Sequence, residues 1–461
     1  MSRLTRSQLL AFAAPALPLS ALSAPITVYL PPFYAMEMGL GLTAVGAVFM
    51  LSRVWDVVTD PLIGYLTDRY GSRYGRRRHW LVLSVPVLML CVVMVFMPGA
   101  VGIEQASGGY LLFWMVMLYV GYTVAMLSQY SWAAELSGDY NERSRILSWR
   151  EMGHLTGMFL ILGVAGVMEQ FGDVLFDIAP EPGQTSGVPN SIKVFAMGAF
   201  ILLLLPVTTG LAVWRVPERP YRPAKDAVHW LKGIRILLRN RLIRRVLGAS
   251  IMHGIPGNVM GALIVFYVSD ILHAPRWISI IILGYYFFAL VSVPLTVRIS
   301  YRIGRHNALV LCMVLMALIT PPFYFFGEGD LVPFMALICA SGLVFAGMAV
   351  LIRATAADVT DYDNLEVGEA RTGLFYSLVT MTDKLGFAIG VGTSYPLLEF
   401  LGYVPGAANT QEALDGLRFA FVFLPIIAML IGAGLMFRFP LTREKQQELR
   451  RQVDERDAER G

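Results

Sequence analysis

Apolar and polar positions are segregated along this chain into long blocks, not interleaved at the short period of a half-buried strand. Uncharged apolar runs of about 18 residues or more recur from end to end, each long enough to cross a hydrocarbon core about 30 Å thick. The blocks predict twelve helices, at about 9–35, 42–66, 80–98, 109–133, 151–169, 192–214, 246–270, 277–297, 308–326, 332–352, 372–400 and 417–437. The longest internal polar segment, Arg215 to Arg245, is rich in Arg and Pro and divides the helices six and six. The pattern predicts an all-α membrane protein. It has an amino-terminal six-helix bundle over 1–214, a linker over 215–245, a carboxyl-terminal bundle over 246–437 and a polar tail over 438–461.

Composition agrees, because 56% of the 461 residues are apolar and only 15% are charged, against roughly 25% charged in soluble domains. Mean hydropathy is +0.60. The net charge of +4 comes from position as much as from excess. All but five of the 37 Lys and Arg lie in alternate inter-helix segments, the exceptions being Arg53, Lys193, Arg276, Lys384 and Arg418. That bias places both termini in the cytoplasm of an inner-membrane protein and gives no reason to expect nucleic acid as a partner. Ser20-Ala21-Leu22-Ser23-Ala24 resembles a signal-peptidase site, but the uncharged run continues to Met36, as a spanning helix requires. Cys91, Cys312 and Cys339 fit no metal spacing and read as small buried apolar residues.

Charges inside spans cost roughly 2.5 to 3.5 kcal/mol each on insertion scales, so each needs a partner or a purpose. Arg53, Asp56 and Asp60 in the second predicted helix are spaced by three and four, which puts them on one face. At an effective dielectric of about 20, two carboxylates one turn apart repel by on the order of 3 kcal/mol. A proton, an alkali cation or Arg53 can relieve this, and one arginine cannot cancel two acids. Asp383 and Lys384 form the other intramembrane pair, with side chains about 100° apart. Lys384 is therefore expected to face the second helix's carboxylates while Asp383 faces elsewhere. His154, His253, His273 and His306 fall at or near predicted helix ends and read as satisfied or solvated histidines. No Gly-Lys-Ser/Thr phosphate loop is present, which argues against ATP hydrolysis.

A weak internal echo relates Asp60-Pro61-Leu62 and Asp68-Arg69 to Val293-Pro294-Leu295 and Tyr301-Arg302-Ile303-Gly304-Arg305. By this echo Ala289 and Val293 match Asp56 and Asp60, so the acidic stripe occurs once. Asp68 and Arg69 are expected to brace a gating loop. Six plus six spans with such an echo is the layout of transporters built from two similar halves.

Arg53-Val54-Trp55-Asp56-Val57-Val58-Thr59-Asp60-Pro61-Leu62-Ile63-Gly64 strongly resembles the glycoside, pentoside and hexuronide:cation symporter family, the melibiose permease-like branch of the major facilitator superfamily. The likeness continues through Tyr122-Thr123, Asp139 to Arg143, Asp358 to Arg371 and Phe375-Tyr376 to Lys384. It implies the major facilitator fold, no enzymatic activity and no cofactor beyond a coupling ion, Na+ or H+. Asp56 and Asp60 would hold the cation with Thr59 and Thr123 contributing, and Lys384 and Arg53 would couple it to substrate. Thr59 stands where the family's melibiose permease has asparagine, which leaves the ion open. Ser20 and Met126 replace that permease's two sugar-gripping aspartates, so a galactoside is not expected. Gln129, Tyr130, Trp132, Arg150 and Thr380 are the other substrate-side candidates, and Arg150 with Lys384 would suit an anionic sugar such as a hexuronide.

The expected function is secondary active, cation-coupled symport of a sugar or glycoside by alternating access, with the lipid bilayer and a small molecule as partners and a monomer as the working unit. The alternatives are a cation-coupled lysolipid carrier and a non-transporting sensor or scaffold.

Overall fold

The computed structural model describes residues 4–70, 72, 75, 77–136, 140–176, 188–218, 239–367 and 372–441. At 68, 69, 134, 135, 140, 141, 143, 144, 357, 360–367 and 372–377 it describes the backbone alone. Among the described residues the twelve principal helical segments are α1 (Arg6–Glu37), α2 (Leu42–Arg69), α3 (Arg78–Phe96), α4 (Gly108–Leu136), α5 (Tyr140–Leu175) and α6 (Asn190–Arg215). They continue as α7 (Arg241–Ile271), α8 (Ile278–Ile303), α9 (Arg305–Ile319), α10 (Leu331–Val367), α11 (Thr372–Phe400) and α12 (Gln411–Met436). Among the described residues eleven helices are long and apolar enough to cross a membrane, and α11 adds a further 29-residue helix. The chain is a multi-pass membrane protein.

Several helices outrun their predicted bounds. α5 begins at Tyr140 instead of 151, and α10 runs to Val367 instead of 352. Hydropathy marks only the part that lies in hydrocarbon, whereas a helix continues until a Gly, Pro or cap stops it. The extension matters because it makes Arg150 a buried helical residue. α1 departs from a regular helix: prolines at 15, 18, 25, 31 and 32 remove donors, and the backbone opens into π turns at Pro25–Tyr29 and Phe33–Glu37. α7 closes in the same way, with a π turn over Tyr267–Ile271.

By internal contacts the chain forms two compact units. The first comprises Met1–Asp226, Ile264–Ile280 and Tyr403–Asn409; the second comprises Ala227–Leu263, Ile281–Gly402 and Thr410–Gly461. The linker's residues 219–238 and the tail's 442–461 lie outside the described residues.

In the first unit α5 lies backbone to backbone on α1. A Cβ on Gly153 would come within 2.6 Å of the Ala13 carbonyl, and one on Gly157 would fall on the Leu17 carbonyl and the Ser20 hydroxyl. In the second unit α11 lies on α7 in the same way: a Cβ on Gly386 would meet Gly254 Cα at 2.8 Å and the Ile251 carbonyl at 2.9 Å, and one on Gly390 the Ile255 carbonyl at 3.0 Å. Small residues one turn apart are what lets helix backbones approach where lipid offers no hydrophobic drive. The two joints define a repeat: Arg150-Glu151-x-Gly153-x-x-x-Gly157 in α5 corresponds to Asp383-Lys384-x-Gly386-x-x-x-Gly390 in α11. Each unit also carries a left-handed glycine in the turn after its acidic or matching helix, Gly75 at φ +122° and Gly304 at φ +89°.

Polar contacts fasten the rest of the first unit. The Glu37 carboxylate accepts from the N–H groups of Asn190 (2.6 Å) and Ser191 (2.9 Å), a negative charge at the start of α6. Buried Glu169 accepts from the Tyr29 hydroxyl at 3.3 Å and the Ser279 N–H at 2.8 Å. In the second unit Arg305 donates to Asp358 at 2.5 Å and to the Ala354 carbonyl at 3.1 Å, tying the turn before α9 to α10.

Candidate cation and substrate site

The helical register of α2 gathers Arg53, Asp56 and Asp60 beside Thr123 of α4. Thr123 Oγ1 lies 3.0 Å from Asp56 Oδ1 and 3.1 Å from Asp60 Oδ1, so the two carboxylates stand no further apart than those two contacts end to end. A threonine hydroxyl has one hydrogen and can donate to only one of them at a time. Arg53 Nη1 donates to Asp56 Oδ2 at 3.1 Å, and its guanidinium lies 4.3 Å from the centre of the Tyr119 ring. Asp56 is fully buried, whereas Asp60 is half-buried. The result is a hard-oxygen cluster with one arginine beside two acids. Among the described residues no group of three or more His, Cys, Asp and Glu is placed to hold a metal ion, and carboxylate and hydroxyl oxygens suit an alkali cation or a proton better than a transition metal.

Thr59 is turned back on its own helix: its hydroxyl donates to the carbonyls of Trp55 (3.1 Å) and Asp56 (3.3 Å), leaving only lone pairs for a cation. The side chains of Asp68 and Arg69 lie outside the described residues.

A second polar group is built on α5 and the inner part of α4. Arg150 is 2% exposed and donates from Nη1 to the Tyr130 hydroxyl at 2.6 Å and to Glu151 at 2.5 Å. Its guanidinium stacks 3.7 Å from the Tyr130 ring centre, while its Nε meets no partner among the described residues. Gln129 is fully buried, with its amide N–H on the Phe12 carbonyl at 2.9 Å and its Oε1 unmatched.

Two other expected substrate residues, Ser20 and Trp132, are engaged in helix packing. The Ser20 hydroxyl bonds the Leu17 carbonyl at 2.9 Å and is pressed against Gly157. Trp132 is 1% exposed, sits edge-on to Phe12 and donates to the Pro217 carbonyl at 3.3 Å, so its ring fastens the end of α4. Met126 is half-buried and Thr380 exposed. In the second unit Asp383 accepts from Ser250 at 2.7 Å and lies 3.9 Å from Arg353, which accounts for it within that unit. Lys384, the next residue, is half-buried.

One histidine departs from expectation. His253 is not at a helix end but near the middle of α7, buried, with its Nδ1 unmatched among the described residues and its ring stacked on Phe345. The extension of α7 down to Arg241 moved the helix end away from it. Sequence spacing had no signal for this, because the contact joins α7 to α10.

Among the described residues, eleven long apolar helices and the further helix α11, with paired glycine joints and a carboxylate pair within α2, fit a membrane transporter. The family model for MFS/sugar transport protein matches residues 11–443, and the chain belongs to that family. An Escherichia coli K12 protein provisionally described as a glycoside/cation symporter is 24% identical over 93% of this chain and 90% of its own length. The isoprimeverose transporter of Lactiplantibacillus pentosus is 23% identical over 89% of this chain and 84% of its length. A glucuronide carrier protein homolog of Escherichia coli K12 is 24% identical over 93% and 91%. The same fold occurs in the crystal structures of the nucleoside transporter NupG, at 13% identity and a TM-score of 0.68 over 95% of this chain and 100% of that one, and of a D-xylose-proton symporter, at 15% and 0.63 over 95% and 96%.

Proposed function

We propose that this chain carries a sugar or glycoside across the membrane together with Na+ or H+, by alternating access, with both termini cytoplasmic in an inner membrane. The observation that carries the proposal is the pair Asp56 and Asp60 sharing one Thr123 hydroxyl. Carboxylates this close, one buried and one half-buried, hold two negative charges poorly and one positive ion well. Names of relatives that include a glycoside/cation symporter and an isoprimeverose transporter support the same reading.

The contacts support a coupling route. Without cation, Arg53 neutralises Asp56. A cation between the acids takes over that role and releases the guanidinium, which lies over the Tyr119 ring. Arg150, whose Nε meets no partner among the described residues, is then a group that holds an acidic sugar, and Lys384 keeps its proposed coupling role in the second unit. Asp68 and Arg69 retain their proposed part in gating, and residues 1–214 and 246–437 their part as the two moving bundles.

The test is uptake of labelled glycosides, hexuronates and lysolipids into membrane vesicles under an inward Na+ gradient, a pH gradient or neither, in wild type and Asp60→Asn. Accumulation of a glycoside or hexuronate under one gradient, lost in the variant, is expected. Uptake blind to both gradients and to the substitution would sink coupling, and uptake of lysolipid alone would sink the sugar.

A further inference from the structure

Arg150 is held by its own neighbour in the chain. Its Nη1 donates to Glu151 at 2.5 Å and to the Tyr130 hydroxyl at 2.6 Å, and that hydroxyl in turn donates to Glu151 Oε1 at 3.1 Å. Adjacent residues on an α-helix point about 100° apart and do not face one another. The guanidinium therefore reaches sideways to its neighbour, over the Tyr130 ring at 3.7 Å from the ring centre. The ion pair joins no two helices, because both of its members belong to α5.

The two members differ sharply in exposure. The Arg150 side chain is 2% exposed and that of Glu151 51%, while Tyr130 is 38% exposed. The base is thus fixed in the interior of the first unit, and the acid stands on its open side. A half-exposed carboxylate in a spanning helix faces water, since hydrocarbon expels it. Among the described residues Glu151 is the only carboxylate within ion-pair distance of Arg150, whose Nε is buried without a partner. Removing one partner of a buried charge pair is strongly destabilising, so this guanidinium keeps an anion at all times. Glu151 is half solvated already and can leave at small cost, provided that another anion takes its place.

We infer that Glu151 is a built-in stand-in for the carboxylate of an acidic sugar and sets the preference for acidic over neutral substrates. It holds Arg150 until a sugar carboxylate takes the guanidinium over, with the unmatched Nε as a donor that Glu151 does not use. A neutral sugar brings no charge to exchange for Glu151 and leaves Arg150 as it is. Selectivity then rests on a competitor carried by the chain itself, so weakening the competitor strengthens the acid and not the neutral sugar. This rests on the sugar reading above, with Arg150 as the group that meets the acid, and adds the residue that decides between substrates.

The test uses matched acidic and neutral sugars: glucuronate with glucose, galacturonate with galactose, and methyl glucuronide with methyl glucoside. Binding of each to the purified full-length chain is measured by calorimetry in wild type, Glu151→Gln and Glu151→Asp. The readout is the ratio of acid to neutral affinity within a pair, or the acid's affinity alone where the neutral sugar does not bind. The ratio is expected to rise about tenfold in Glu151→Gln, which removes the competing charge, and about threefold in Glu151→Asp, whose shorter stem holds Arg150 less well. Affinity for the neutral sugar should stay within about twofold of wild type and reports that the variants are folded. Glu151→Asp keeps the charge and carries the test if Glu151→Gln fails to fold. A ratio unmoved in both variants would overturn the stand-in and leave the transport reading in place. A ratio that falls in either would overturn it too, since Glu151 would then grip the sugar itself. A wild type that binds neither acid nor neutral sugar would overturn both readings.

Discussion

α5 on α1 and α11 on α7 are the same joint built twice, yet the charged pairs beside the two joints are reversed. Arg150-Glu151 precedes Gly153 and Gly157, whereas Asp383-Lys384 precedes Gly386 and Gly390. The reversal extends to the neighbouring helices. α2 carries Arg53, Asp56 and Asp60 where α8 carries Tyr286, Ala289 and Val293. Backbone packing depends on small residues at fixed spacing and tolerates little change, and it has the same form in both units. Side chains directed away from the joint are not under that constraint. The comparison teaches that the joint is repeated while the chemistry beside it is divided, with the Asp56 and Asp60 carboxylates in one unit and Ala289 and Val293 at the matching positions of the other.

The largest effect expected from breaking this division is at Asp56. Asp56→Asn leaves the half-buried Arg53 beside a neutral amide, and since losing one partner of a fully buried pair costs about 3 to 5 kcal/mol, the loss here should lie at or below the lower end of that range. Thermal unfolding in detergent should show that loss, and gradient-driven uptake should vanish. Adding Arg53→Leu should recover most of the stability and none of the coupled uptake, because it removes the stranded charge without restoring a cation ligand. An Asp56→Asn protein as stable as wild type would mean that the Arg53 contact at 3.1 Å contributes nothing.

A smaller effect compares the joints themselves. Gly157→Ala drives a methyl into the Leu17 carbonyl and the Ser20 hydroxyl, while Gly390→Ala meets the Ile255 carbonyl and Asn258 Cβ, both at 3.0 Å, a gap that a slight helix shift can open. Overpacking of this kind costs about 1 to 3 kcal/mol. Gly157→Ala should lie at the upper end of that range and Gly390→Ala at or below the lower, both read as shifts in unfolding temperature. Equal losses at the two glycines would contradict the geometry.

The number and order of helices were legible because each hydrocarbon crossing leaves an uncharged run. The Arg53, Asp56 and Asp60 face was legible because three and four residues make one helical turn, and the structure adds Thr123 as the hydroxyl lying within hydrogen-bond distance of both acids. Helix ends were less legible, as α5 and α10 show, since hydropathy is silent about a helix continuing into water. Roles that depend on contacts between distant helices were not legible. Nothing in the local sequence says that the Ser20 hydroxyl turns to Leu17, that Trp132 caps α4 against Pro217, or that His253 lies on Phe345. The Arg-Glu-x-Gly-x-x-x-Gly and Asp-Lys-x-Gly-x-x-x-Gly repeat was present in the sequence all along. Its charges are reversed, so likeness of residues conceals what likeness of spacing reveals.

The smallest expected effect tests how far the cation cluster reaches along α2. Thr59 lies between the two acids in sequence, but its hydroxyl hydrogen is committed to the carbonyls of Trp55 and Asp56. Thr59→Val keeps the shape and removes the oxygen. The freed carbonyls still hold their helical bonds, so stability should change by about 0.5 kcal/mol or less. The apparent affinity for the coupling ion should fall less than about threefold, because only a lone pair is lost and the carboxylates and Thr123 remain. Thr123→Val should cost more in the same assay, since it takes away the hydroxyl that reaches both Asp56 and Asp60. If Thr59→Val proves the more damaging of the two, the ion sits nearer the α2 backbone than the acids' present contacts place it, and Thr59 is a ligand in its own right.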